Sequence, residues 1–136
     1  MEETITDQRI SKPTAIIAHE KGFNEPVDYG YCKINPNLYR IESTRESVDA
    51  SKWNNIGGYS APTQSHLHTW IRKHFKKLII VFPIVVKSSE TSGFRYSWSI
   101  TDLSDVEKED IVDGSALGHL KYEDAYEAAL IEAMKN

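Results

Sequence analysis

The sequence predicts an α+β fold: a small antiparallel β-sheet with N-terminal, central and C-terminal helices packed mainly on one face. Three observations predict it. Leu67, Trp70, Ile71, His74 and Phe75 recur at helical spacing, and so do Tyr122, Ala125, Tyr126, Ala129, Leu130 and Ala133. Leu78 to Val86 is a short apolar run rich in β-branched residues. Phe94, Tyr96, Trp98 and Ile100 alternate with Arg95, Ser97, Ser99 and Thr101, which is the period of a half-buried strand.

Residues 1–9 are polar and are expected to fray. Ser11-Lys12-Pro13 opens a helix over 12–21, because proline is tolerated where an amide has no intrahelical partner. Gly22 stops it in the left-handed conformation, and Phe23 folds back on the last turn. Tyr29 to Ile34 and Leu38 to Ile41 form a hairpin around the Asn35-Pro36-Asn37 turn. Residues 42–59 read as a long loop pinned by Trp53, with Gly57-Gly58 making a sharp turn. The central helix spans 62–76, with Pro62 in its first turn and Ser60, Ala61 or Thr63 as cap. Leu78–Val86 reads as a strand buried on both faces, and Pro83 marks a bulge or an edge. Residues 88–93 make a polar hairpin loop before the strand Phe94–Thr101. Residues 102–120 are acidic and read as an exposed excursion before a last helix over 121–134.

The chain of 136 residues suits a single globular domain, 1–136. Apolar residues make up 40% and charged residues 26%, which excludes wholesale disorder. A net charge of -4 argues against long-range attraction to nucleic acid or anionic membrane. Cys32 is the only cysteine, so neither an intramolecular disulfide nor a cysteine-rich zinc site can form, and the thiol suits a reducing compartment. Met1-Glu2-Glu3 is acidic where a secretory leader needs positive charge, and the run ending at Val86 is too short for a transmembrane helix. The expectation is a cytoplasmic protein with no membrane partner.

Ala61-Pro62-Thr63-Gln64, Leu67 and Trp70-Ile71-Arg72 precede an apolar strand, and Tyr122-Glu123-Asp124-Ala125 opens the terminal helix. With Glu20-Lys21-Gly22-Phe23-Asn24-Glu25-Pro26, this pattern resembles small bacteriophage and prophage proteins of Bacteroides-type hosts, a group with no assigned activity. The motifs are structural: caps, core positions and stops. The resemblance implies a mobile-element origin and residence in the cytoplasm of a bacterial host. It carries over no catalytic residue. Two positions depart from it: Lys121 stands where a Ser or Thr cap is expected, and the pair His66 and His68 is particular to this chain.

The candidate sites divide by chemistry. His66, His68 and His74 are metal-ligand types, but residues two apart on a helix point to different sides, and His74 lies two turns from His66. No metal site follows, and no cofactor motif is present. Arg72, Lys73, Lys76 and Lys77, with Arg95, form the candidate nucleic-acid or anion contact. The competing reading is a helix C-terminus that favours cations beside its exposed carbonyls. Phe94, Tyr96 and Trp98 can stack bases, yet a sheet must bury one face, and this is the natural one. The acids Asp102, Asp105, Glu107, Glu109 and Asp110 do not keep a calcium-loop register. No nucleophile elbow or phosphate loop appears, so no catalytic residue is assigned. The leading expectation is a non-enzymatic binding module contacting a host or phage macromolecule, either an unidentified protein or a second copy. The alternatives are a nucleic-acid accessory protein and a small nucleotide-binding protein or enzyme whose site is scattered in sequence.

Overall fold

A computed structural model describes residues 8–33, 37–40, 58–87, 92–105, 107–115 and 117–135. In chain order the elements are α1 (Lys12–Glu20), β1 (Tyr29–Cys32), β2 (Leu38–Arg40), β3 (Gly58–Ser60), α2 (Gln64–His74), β4 (Lys77–Lys87), β5 (Ser92–Asp102), β6 (Ile111–Val112) and α3 (Tyr122–Met134). The α+β class is as expected, with helices at the N-terminal, central and C-terminal positions. The described residues form two antiparallel sheets where one was expected, ordered β2-β1-β3 and β4-β5-β6. The chain divides into two compact units, Met1–Leu67 and His68–Asn136, and α2 runs from one into the other.

In the first unit, α1 ends as its sequence requires. The Phe23 amide donates to Ala18 O at 2.9 Å and the Gly22 amide to His19 O at 3.1 Å, with Gly22 at φ 96°. This closes the last carbonyls and buries the Phe23 ring. The hairpin pairs Gly30 with Tyr39, and β3 pairs on its other side, Gly30 with Ser60. Gly58 therefore begins a strand rather than a turn. Gln8 and Arg9 do not fray: the Gln64 amide donates to Gln8 O at 2.7 Å, and Arg9 forms a bridge with Thr63. Thr63 supplies the cap of α2, accepting the His66 amide at 3.2 Å. The core holds Ile10, Ala15, Ala18, Phe23, Val27, Ala61 and Leu67. Residues 1–7, the Asn35-Pro36 turn, Trp53 and the 88–91 loop lie outside the described residues.

In the second unit, all 11 residues of β4 pair with β5, from Lys77 opposite Asp102 to Lys87 opposite Ser92. The register runs through Pro83, opposite Tyr96, without a bulge. β4 is an edge strand, so the edge alternative for Pro83 is the one observed. α3 packs on β4 and β5. Its small residues Ala125, Ala129 and Ala133 are buried with Leu130 and Met134. Lys121 provides no side-chain cap, and Glu123 and Asp124 place negative charge at the helix N-terminus instead.

The 102–120 segment is less open than its acidity suggests. β6 pairs Val112 with Ser99 and Ile111 with Ile100, and farther along His119 exchanges backbone hydrogen bonds with Tyr96, both at 2.8 Å. Gly118 makes that approach possible. Its φ is +67°, and a Cβ there would lie 2.7 Å from Tyr96 O and 3.0 Å from Ile84 Cδ1. Gly118→Ala should lower stability by at least about 1–3 kcal/mol, the cost of backbone strain at such a position, before the clash is added. Gly114→Ala, with open space around it, should change stability by less than about 0.5 kcal/mol. Urea unfolding of the two variants checks the contrast.

Candidate functional site

The β4–β5 register assigns each side chain to a face, because directly paired residues point the same way. One face carries Ile79, Val81, Pro83 and Val85 beside Ile100, Trp98, Tyr96 and Phe94. The Tyr96 and Tyr122 rings meet edge to face at 5.8 Å, so this is the side that α3 covers. Ile79, Trp98 and Ile100 are buried there. The cover stops before the strand ends: Phe94 is 54% and Val85 70% exposed. The aromatic face is thus core at one end and open at the other.

The opposite face carries Leu78, Ile80, Phe82, Ile84 and Val86 beside Thr101, Ser99, Ser97, Arg95 and Gly93, with Val112 next to Ser99. Ile80 is 47%, Phe82 37% and Val112 64% exposed. This corrects the reading of Leu78–Val86 as a strand buried on both faces. A continuous apolar run suits two-sided burial, but an edge strand under a helix on one side leaves its other side open. The result is an apolar ridge on β4 flanked by the hydroxyl column Ser97, Ser99 and Thr101.

The free edge of β4 is guarded. In an antiparallel strand the amides of alternate residues point to opposite sides. The Ile79 amide points outward, where it donates to His68 Nε2 at 3.0 Å. By the same parity the other outward positions are Lys77, Val81, Pro83, Val85 and Lys87. Pro83 therefore removes a donor from the edge and not from the ladder. His68 Nδ1 lies 2.7 Å from the Tyr126 hydroxyl, and the two rings meet edge to face. Burial first, and the Arg72 guanidinium second, hold the His68 pKa below the ordinary 6.5. The folded chain favours the neutral ring, so this stabilisation is complete above 6.5 and is lost as pH falls through the lowered value. Urea unfolding across pH should show stability falling on acidification through this window, and His68→Gln should flatten that part of the slope.

The five basic candidates do not form one cluster. Arg72 and Lys73 are exposed on the last turn of α2, and Lys76 is exposed just beyond it. Lys77 is buried, opposite Asp102 across the ladder. Arg95 pairs with Ile84, seven residues along β5 from Asp102, or ~23 Å at strand rise. Its guanidinium donates to Phe94 O at 3.0 Å. Asp102 stands beside the basic end. Its pKa is lowered first by the Ser104 hydroxyl, which donates to it at 2.6 Å, then by the Ser104 amide, with a smaller contribution from Lys108. Lys76 adopts the left-handed φ of 56°, with its carbonyl accepting the Leu103 amide at 2.7 Å. A lysine at a position that suits glycine carries strain. Lys76→Gly should raise stability by about 0.5–1 kcal/mol in urea unfolding.

Other polar groups are structural. Asp113, nearly buried, accepts from the Ser97 hydroxyl at 3.3 Å and from the Ser115 amide at 2.9 Å. His119 Nε2 lies 3.3 Å from the same carboxylate, at an angle too poor for a hydrogen bond. His66 Nε2 meets Glu25 at 2.7 Å beside the Phe23 ring, so the His66 and His68 rings have different partners. A narrow crevice lined by Ala15, His19, Phe23 and Ser60 has no room for a water-sized molecule. No group of three metal-ligating side chains occurs among the described residues, and no helix among them is long and apolar enough to cross a membrane. Sequence reasoning missed His68 as an edge cap. The contact joins His68 to Ile79 across a helix–strand junction, which no local sequence motif marks. Comparison with protein-family models, curated proteins and solved structures gives no match.

Proposed function

We propose that the chain is a non-enzymatic binding module that contacts a host or phage protein through the open face of the β4–β5–β6 sheet. The observation that carries this reading is the exposed pair Ile80 and Phe82 on a fully paired ladder, with Val112 exposed on the far side of Ser99. Apolar side chains side by side on a regular surface are the usual centre of a protein interface. The neighbouring Ser97, Ser99 and Thr101 supply hydroxyls suited to a polar rim, and Ser97 already donates to Asp113.

A second reading is supported by Lys76. Backbone strain is tolerated where a side chain is needed, and Lys76 stands with Arg72 and Lys73 at the end of α2. In that reading the chain is a nucleic-acid accessory protein using Arg72, Lys73, Lys76, Lys77 and Arg95.

One experiment separates them. The resemblance to phage proteins makes a bacterial host lysate the source for affinity capture, with and without nuclease, using the unaltered chain and Phe82→Glu. The face reading expects a captured protein that survives nuclease and falls at least about tenfold with Phe82→Glu, the loss typical of an interface anchor. Equal capture by the variant contradicts that reading. Capture abolished by nuclease, with binding that weakens steeply with salt, favours the basic residues instead.

A further inference from the structure

His68 satisfies two neighbours that a charged imidazole cannot satisfy together. The Ile79 amide can only donate, so the Nε2 it meets at 3.0 Å must present a lone pair. The neutral ring then carries its proton on Nδ1 and donates to the Tyr126 hydroxyl at 2.7 Å. The hydrogen-bond network alone assigns this tautomer. We propose that His68 is a proton-operated latch on the outer edge of β4: the neutral ring holds the Ile79 amide closed, and proton uptake at Nε2 releases it.

The surroundings decide how the latch responds. A proton on Nε2 would face the Ile79 N–H, donor against donor, so the bond to β4 breaks. The Nδ1–H bond to Tyr126 survives protonation, so the ring stays tethered to α3. Around the ring, α2 contributes the positive charge of Arg72, α3 the Tyr126 phenol and β4 the Ile79 amide. Tyr122 touches Tyr126 edge to face at 5.8 Å and extends the contact as an uncharged ring. The positive charge of Arg72 and the burial of the ring both oppose protonation, so release is set below the ordinary histidine range.

Position gives release its consequence. Of the outward sites Ile79, Val81, Pro83 and Val85, Pro83 has no donor and Ile79 is capped. Freeing the Ile79 amide adds an outward donor between the outward positions Lys77 and Val81. Alternate outward donors are what a paired strand requires. Acidification thus changes the edge from capped to open. The latch is independent of which partner the sheet face binds.

The test is nuclear magnetic resonance on the full ¹⁵N-labelled chain. At pH 8 a through-hydrogen-bond ¹⁵N–¹⁵N coupling between the Ile79 amide and His68 Nε2 is expected, with Nε2 unprotonated and Nδ1 protonated. On acidification the coupling should vanish and the Ile79 amide proton should shift, both with the midpoint of the His68 ring. The Ile80 amide, bonded inside the ladder, should hold its position through that midpoint. In His68→Gln the Ile79 shift should be independent of pH over the same range. No coupling at pH 8, a proton on Nε2, or an Ile79 signal unmoved while His68 titrates overturns the proposal. Collapse of all amide signals before the ring titrates also overturns it, because the ring would then be unable to take up a proton within the fold. If His68→Gln does not fold, the contrast between Ile79 and Ile80 in the unaltered chain decides.

Discussion

The second unit rests on the uninterrupted antiparallel ladder between β4 and β5. Eleven residues pair in one register, and a shift by a single residue would move every side chain to the other face. The register puts Ile79, Trp98 and Ile100 under α3 and sends Ile80 and Phe82 to the opposite side. It also sets backbone parity, so that Pro83 and the Ile79 amide point away from β5. The buried side, the open ridge and the guarded edge are consequences of one alignment.

The open ridge and the guarded edge answer different physical demands. A long edge strand with exposed apolar side chains invites unwanted strand pairing. Here the backbone is blunted by a proline and by an imidazole cap, while the side chains of the solvent face stay apolar. Protection is applied to the hydrogen-bonding edge and not to the surface. On the reading proposed above, this combination keeps a surface for side-chain contact and closes the edge to backbone addition.

How legible this was in the sequence varies with the range of the interaction. Local signals read well. Gly22 and Phe23 terminate α1 through nearby backbone bonds, and the alternation from Phe94 to Ile100 specifies a strand. The central and C-terminal helices, expected over 62–76 and 121–134, are observed over Gln64–His74 and Tyr122–Met134. Burial read less well, because it depends on where a helix ends above a sheet. Phe94 and Trp98 share a face and a residue class, yet only Trp98 is covered. Pairing within the 102–120 segment escaped altogether. Ile111-Val112 is too short for a periodic signal, and the His119 bridge to Tyr96 depends on the missing side chain at Gly118. The basic candidates were grouped by composition. Only the register shows Arg95 far along the strand and Lys77 buried.

The central claim is that β4 is an edge strand in one fixed register, with its amides alternating between ladder and edge. Backbone amide hydrogen exchange along β4 tests it most directly. The account predicts strong protection at Leu78, Ile80, Phe82, Ile84 and Val86, and fast exchange at Val81 and Val85. Even protection along the whole strand, or fast exchange at Ile80 and Phe82, would contradict it.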